Sequence, residues 1–194
     1  MSQQDTTSAT EPVREVYEKL GELLEQGDDV FVKEGPALLK DAIEETEFLD
    51  GLETEHAEPG TYTRKKIIGD PGRHVIRYME WPPEYALMPH EHHGRPCFEV
   101  LVEGHLALTD LEPTQVGEDR YTFDVLGSSV TEPGESAVVD PRENEIHAVY
   151  SPVRSRSLHV YPDDNYRSFG YVLDEEADGD VYVRTEFQLR EDED

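Results

Sequence analysis

Positive charge is scarce in this chain. Its 194 residues carry 17 Lys and Arg against 45 Asp and Glu, a formal net charge of −28. A surface of that sign repels nucleic-acid phosphates and anionic lipid headgroups, which excludes both as partners. Cysteine is nearly absent. Cys97 stands alone, so no disulfide can form within the chain, in keeping with a reducing cytoplasm. No run approaches the roughly 20 apolar residues of a membrane span. The first twenty residues also lack the charged-then-apolar order of a secretion signal. These shortages predict a cytoplasmic protein, monomeric or weakly self-associating, that touches neither membrane nor nucleic acid.

Lysine is the scarcer base: there are five Lys, none after Lys66, against twelve Arg. Excess acid with few apolar residues is also the signature of disorder. Here ten Tyr and six Phe fall in patterned runs, which argues for a core. A Lys-poor acidic surface repels itself in dilute buffer and is relieved when the Debye length falls to about 3 Å near 1 M salt. The composition therefore predicts a folded, halophilic protein.

Residues 1–10 are polar and predict a disordered tail. Val13, Val16, Tyr17, Leu20, Leu23 and Leu24 recur at helical spacing, with Thr10 as cap and Pro12 in the first turn. Gly27-Asp28-Asp29 ends that helix, and a second pattern begins near Pro36 with Leu38, Leu39, Ala42 and Ile43. The two short helices occupy 11–50, and residues 53–60 read as a loop. From Thr61 the period changes. Eleven short alternating runs (61–68, 74–81, 86–90, 97–103, 105–111, 120–125, 136–139, 146–150, 157–161, 168–173 and 181–189), punctuated by Gly and Pro and without intervening helices, predict a mainly β barrel or sandwich over 61–190. Glu103-Gly104 fits a tight hairpin turn, and the acidic stretches 174–180 and 191–194 read as solvated.

The richest stretch runs Pro89-His90-Glu91-His92-His93-Gly94-Arg95-Pro96-Cys97-Phe98. Residues two apart in a strand share a face, so His90 and His92 present two imidazoles together while His93 points away. A third imidazole would complete one face of an octahedron and leave three positions open. Imidazole suits zinc, copper, iron and nickel alike, so the ligands do not choose the metal. His147, opening the run 146–150, is the best third ligand. His56, His74 and His105 read as structural or surface residues. Ser157, His159 and Tyr161 form a polar row on one strand face. That face lies either in water or inside a barrel, where each group needs a partner.

His-x-His, four residues, Cys97, six residues and Gly104 is close to the first motif of the cupin superfamily, with Cys97 in the usual glutamate position. The second motif, from Gly134 through Pro141 to His147, is stretched. Together with Tyr62-Thr63-Arg64 and Ser157-x-His159-x-Tyr161, the chain resembles the cysteine dioxygenase family over roughly 13–173. The departures follow Tyr161, where Pro162-Asp163-Asp164 replaces a Ser-Pro-Pro, and precede Ser157, where the segment after His147 is shorter.

The resemblance implies a cupin-type jelly-roll β-barrel and an iron(II) enzyme that adds dioxygen to the thiol of L-cysteine to give the sulfinic acid. It makes His90, His92 and His147 the metal ligands, Arg64 and Tyr62 the substrate-carboxylate site, and Tyr161, His159, Ser157 and Cys97 the catalytic set. Cys97 is then expected to face the metal cavity and Tyr161 to reach it from the opposite wall, where a thioether can join them. Two alternatives stand beside this one. The substrate is another thiol acid such as 3-mercaptopropionate, with Arg167 as the clamp, or the protein is a metal-binding cupin without turnover.

Overall fold

The computed structural model describes residues 9–45, 47–52, 57–163 and 168–187. Residues 1–8 of the expected tail, His56, Arg167 and the acidic end 191–194 lie outside the described residues. Two helices come first, α1 (Glu11–Gln26) and α2 (Asp28–Glu45). Six strands follow: β1 (Thr63–Gly69), β2 (Val75–Trp81), β3 (Tyr85–Glu91), β4 (Cys97–Glu103), β5 (Leu106–Gly117) and β6 (Arg120–Thr131). The last five are β7 (Ser136–Val139), β8 (Ile146–Ser151), β9 (Ser155–Tyr161), β10 (Ser168–Leu173) and β11 (Tyr182–Phe187). The fold is mainly β, as the alternation implies.

Pro12 and Glu11 open α1, and Val13, Val16, Tyr17 and Leu20 bury one face of it. Gly27 ends α1 at φ 124°, its N–H on the Leu24 carbonyl. The expectation that α2 starts near Pro36 is corrected by eight residues. The Gly27 carbonyl accepts from the N–H groups of Val30 and Phe31, so the helix begins at once and Asp28 and Asp29 supply its acidic first turn. Pro36 lies inside the helix. Its missing N–H had marked it as a start, but burial of Phe31, Gly35, Leu39 and Ala42 on one stripe overrides that local preference. Gly35 is required by contact: a β-carbon there would come within 2.6 Å of the Phe98 ring.

A five-stranded sheet, in the order β1-β2-β9-β4-β7, forms the central layer. The helices cover one of its faces through Ile76, Tyr78, Phe98, Val100, Leu158 and Val160. Its other face meets a closed barrel in the order β10-β11-β6-β5-β8-β3. Met79, Trp81 and Leu101 from the sheet pack there on Leu87, Leu106, Leu108 and Val149 from the barrel. Each such side chain removed from water contributes about 1.5–3 kcal/mol.

Glu103-Gly104 is a turn but not a hairpin. β4 pairs with β7 and β9, while β5 pairs with β6 and β8, so the turn carries the chain from sheet to barrel. Gly104 has φ 85°, and a β-carbon would strike the Arg154 carbonyl and Ser155. β5 and β6 also run well beyond the expected 105–111 and 120–125. Their added lengths, such as Glu112–Val116, are exposed on both faces and leave no alternation to read.

Candidate metal centre

His90 lies on β3 directly opposite His147 on β8. His92 follows one residue past the end of β3. The end of this strand is pinned by the residue between the two histidines. Glu91 points the other way, accepts from Tyr171 Oη at 2.9 Å and pairs with Arg184. The Ser168 hydroxyl donates to the Glu91 carbonyl. The three imidazoles thus converge, with one ligand atom from each lying within 4.8 Å of the others. His90 Nε2 and His147 Nε2 are 3.2 Å apart. Two nitrogens about 2.1 Å from one metal at right angles would be about 3 Å apart, so the spacing suits a shared ion.

The protonation pattern suits it too. A carbonyl can only accept, so His90 Nδ1 donates to Met88 O at 3.0 Å and presents Nε2. His92 Nδ1 makes a longer contact, 3.5 Å, to Glu145 O, and so also turns Nε2 inward. Burial lowers the pKa of all three, that of His90 to about 4, and keeps the rings neutral with their lone pairs available.

The polar row of β9 faces inward. Trp81 Nε1 donates to Ser157 Oγ at 2.8 Å, Ser157 Oγ lies 2.8 Å from His159 Nε2, and Tyr161 Oη lies 3.4 Å from His159 Nδ1. Burial lowers the His159 pKa to about 3, so this ring too is neutral. The Arg64 guanidinium sits 4.8 Å over the Tyr161 ring and hydrogen-bonds its hydroxyl. Tyr62 stacks on Trp81 at 5.1 Å and closes the same pocket. Burial raises the pKa of both Tyr62 and Tyr161, and both remain phenols.

Cys97 is buried and lines the pocket, and burial likewise raises its pKa and keeps the thiol protonated. It packs with Val75, Val139 and Tyr161. The expectation that Tyr161 reaches the cavity from the wall opposite Cys97 is corrected: β4 and β9 are neighbours in one sheet, so both side chains stand on the same wall. The facing wall is the barrel, which carries His90 and His147.

His93 is exposed, its ring on Phe169 at 4.9 Å. His74 is structural, with Nε2 2.7 Å from the Tyr17 carbonyl and its ring stacked on Tyr17. His105 is exposed.

Sequence reasoning missed Glu99. It lies on β4 across from His159, with Oε2 3.1 Å from His159 Nε2, and is 6% exposed. Burial raises its pKa to about 7. The signal was present: Glu99 is two residues from Cys97, hence on the same face, and is the only charge in the otherwise apolar run 97–102.

No family model matches this sequence, and neither does any curated protein. Among solved structures, the chain is similar to a cupin superfamily protein from Desulfitobacterium hafniense. Identity there is 13%, over 57% of this chain and 84% of that one, with a TM-score of 0.43. It is similar to a conserved protein with a double-stranded β-helix domain from Klebsiella pneumoniae at 12% identity, over 58% of this chain and 86% of that one, with a TM-score of 0.45. Oxalate oxidase in complex with the substrate analogue glycolate is similar at 11% identity, over 59% of this chain and 57% of that one, with a TM-score of 0.43.

Proposed function

We propose that this protein is an iron(II) thiol dioxygenase that converts L-cysteine and dioxygen to cysteine sulfinic acid. One observation carries the reading. Three neutral imidazoles with no carboxylate among them open onto a pocket lined also by Cys97, His159 and Tyr161, with Ser157 hydrogen-bonded to His159 and Arg64 over the Tyr161 ring.

The donor set fits the metal: His90, His92 and His147 would hold it through three nitrogens and leave positions for substrate. Bound there, iron(II) would supply a double positive charge undiminished by its ligands, favouring a thiolate, and the redox capacity to unite it with dioxygen. The reaction balances as RSH + O2 → RSO2H and needs no further reductant.

Arg64 receives the substrate carboxylate, its planar fork matching two oxygens. Tyr62, beside it, adds a hydroxyl to that end. Tyr161 is held by Arg64 on one side and His159 on the other, so its hydroxyl proton stays at a defined place in the pocket. Ser157 receives the Trp81 indole N–H and thereby fixes the imidazole edge that orients Tyr161. Met79, Leu87, Leu108 and Val149 line the remainder and exclude water.

The test is anaerobic loading with iron(II) in concentrated salt, followed by dioxygen uptake with cysteine, homocysteine, cysteamine and 3-mercaptopropionate. Uptake with cysteine, matched by sulfinate, is expected. Uptake with 3-mercaptopropionate alone would move the substrate, and no uptake with any thiol would end the reading.

A further inference from the structure

Glu99 plays no part in the chemistry above, yet it lines the same pocket. It shares a face of β4 with Cys97 and faces His159 across the strand pair. Its Oε2 contacts His159 Nε2 at 3.1 Å, but that ring is neutral and also faces Ser157, so the contact is not an ion pair. Its Oε1 is buried and has no hydrogen-bond partner among the described residues. Burial alone sets its raised pKa; neither Arg64 on β1 nor Arg77 on β2, buried cations farther across the same sheet, offsets the charge. A buried carboxylate oxygen in that condition is a standing cost to the fold unless something entering the pocket completes it. The metal does not, because the converging ligand atoms are those of the three histidines and Glu99 is not among them. What remains is a donor on the substrate.

We propose that Glu99 accepts a hydrogen bond from the amine of the substrate through its open Oε1. Arg64 over the Tyr161 ring and Glu99 beside His159 set a cation and an acid along one wall, a match for a molecule bearing both a carboxylate and an amine. The site therefore selects an amino thiol acid over a simple mercapto acid. This assignment rests on the thiol reading above and sharpens it, because 3-mercaptopropionate has the thiol and the carboxylate of cysteine but no amine.

The experiment is anaerobic titration calorimetry of the iron(II)-loaded full chain with L-cysteine and with 3-mercaptopropionate, for wild type, Glu99→Gln and Glu99→Leu. Iron content and thermal unfolding of each variant are measured alongside. Losing a charge-assisted contact should weaken cysteine binding roughly 10- to 100-fold, while 3-mercaptopropionate changes by less than about threefold or binds more tightly to Glu99→Leu. Equal weakening of both thiols in folded, iron-replete variants would show that Glu99 only positions His159 and would overturn the assignment alone. Wild-type protein that holds iron and binds neither thiol would overturn the thiol reading and this assignment together.

Discussion

Replacing Glu99 by Gln, with no thiol present, should change how stability depends on pH. The side chain keeps its size and loses its charge. Folding raises the Glu99 pKa from the ordinary 4.5 to about 7 because the carboxylate is removed from water. The folded state therefore keeps this proton to higher pH than the unfolded chain does. Stability tied to Glu99 is whole below pH 4.5 and is lost as pH rises through 7. At about 1.4 kcal/mol per pH unit, the loss is roughly 3 kcal/mol. Gln cannot ionise, so Glu99→Gln should gain on the wild type by about that amount between pH 5 and 9, or roughly 6–12 °C in Tm for a chain of this size. Thermal or denaturant unfolding of both proteins across that range, in concentrated salt and with the metal content matched, reads the difference directly. Curves that stay parallel would refute the claim that Glu99 is a buried carboxylate without a counter-charge.

Three further outcomes follow from the site. His90→Ala, His92→Ala and His147→Ala should each lose most bound iron by metal analysis, and iron retained in His147→Ala would place the third ligand elsewhere. Arg64→Ala should lower cysteine turnover roughly 100-fold or more while sparing cysteamine, which lacks the carboxylate; equal losses would remove Arg64 as the clamp. Cys97 and Tyr161 pack on one wall, so a thioether should form in part of the protein during turnover, with dioxygen as the oxidant. Intact mass would then fall by about 2 Da as the thiol and the ring each lose a hydrogen, and full recovery of unmodified Cys97 peptide would contradict this.

Much of the architecture could be read from alternation, because a strand with one buried face writes its period into the chain. β7 and β10 begin and end where the runs 136–139 and 168–173 do, while β4, buried on both faces, is bounded in the sequence by Pro96 and Gly104. Where both faces share one environment the period vanishes, and the extensions of β5 and β6 went unread for that reason. The start of α2 was hidden by Pro36, a local signal that tertiary packing overrides. Pairing was less legible than existence: nothing within Glu103-Gly104 says that the strands on either side belong to different sheets. The same gap placed Tyr161 on the wrong wall, since strand order is set by contacts distant in sequence. His-x-His marked two converging imidazoles, and the opposite register of His90 and His147 supplied the third. Glu99 escaped because a glutamate in a strand is ordinarily solvated, and only the helices behind β4 and the barrel before it make this one buried.

The most direct test of the central claim is the fate of dioxygen. Iron(II)-loaded protein turning over L-cysteine under isotopically labelled dioxygen should give cysteine sulfinic acid with the label in both sulfinate oxygens, one molecule formed per dioxygen consumed. Dioxygen uptake that yields cystine, or sulfinate whose oxygens come from water, would contradict the account.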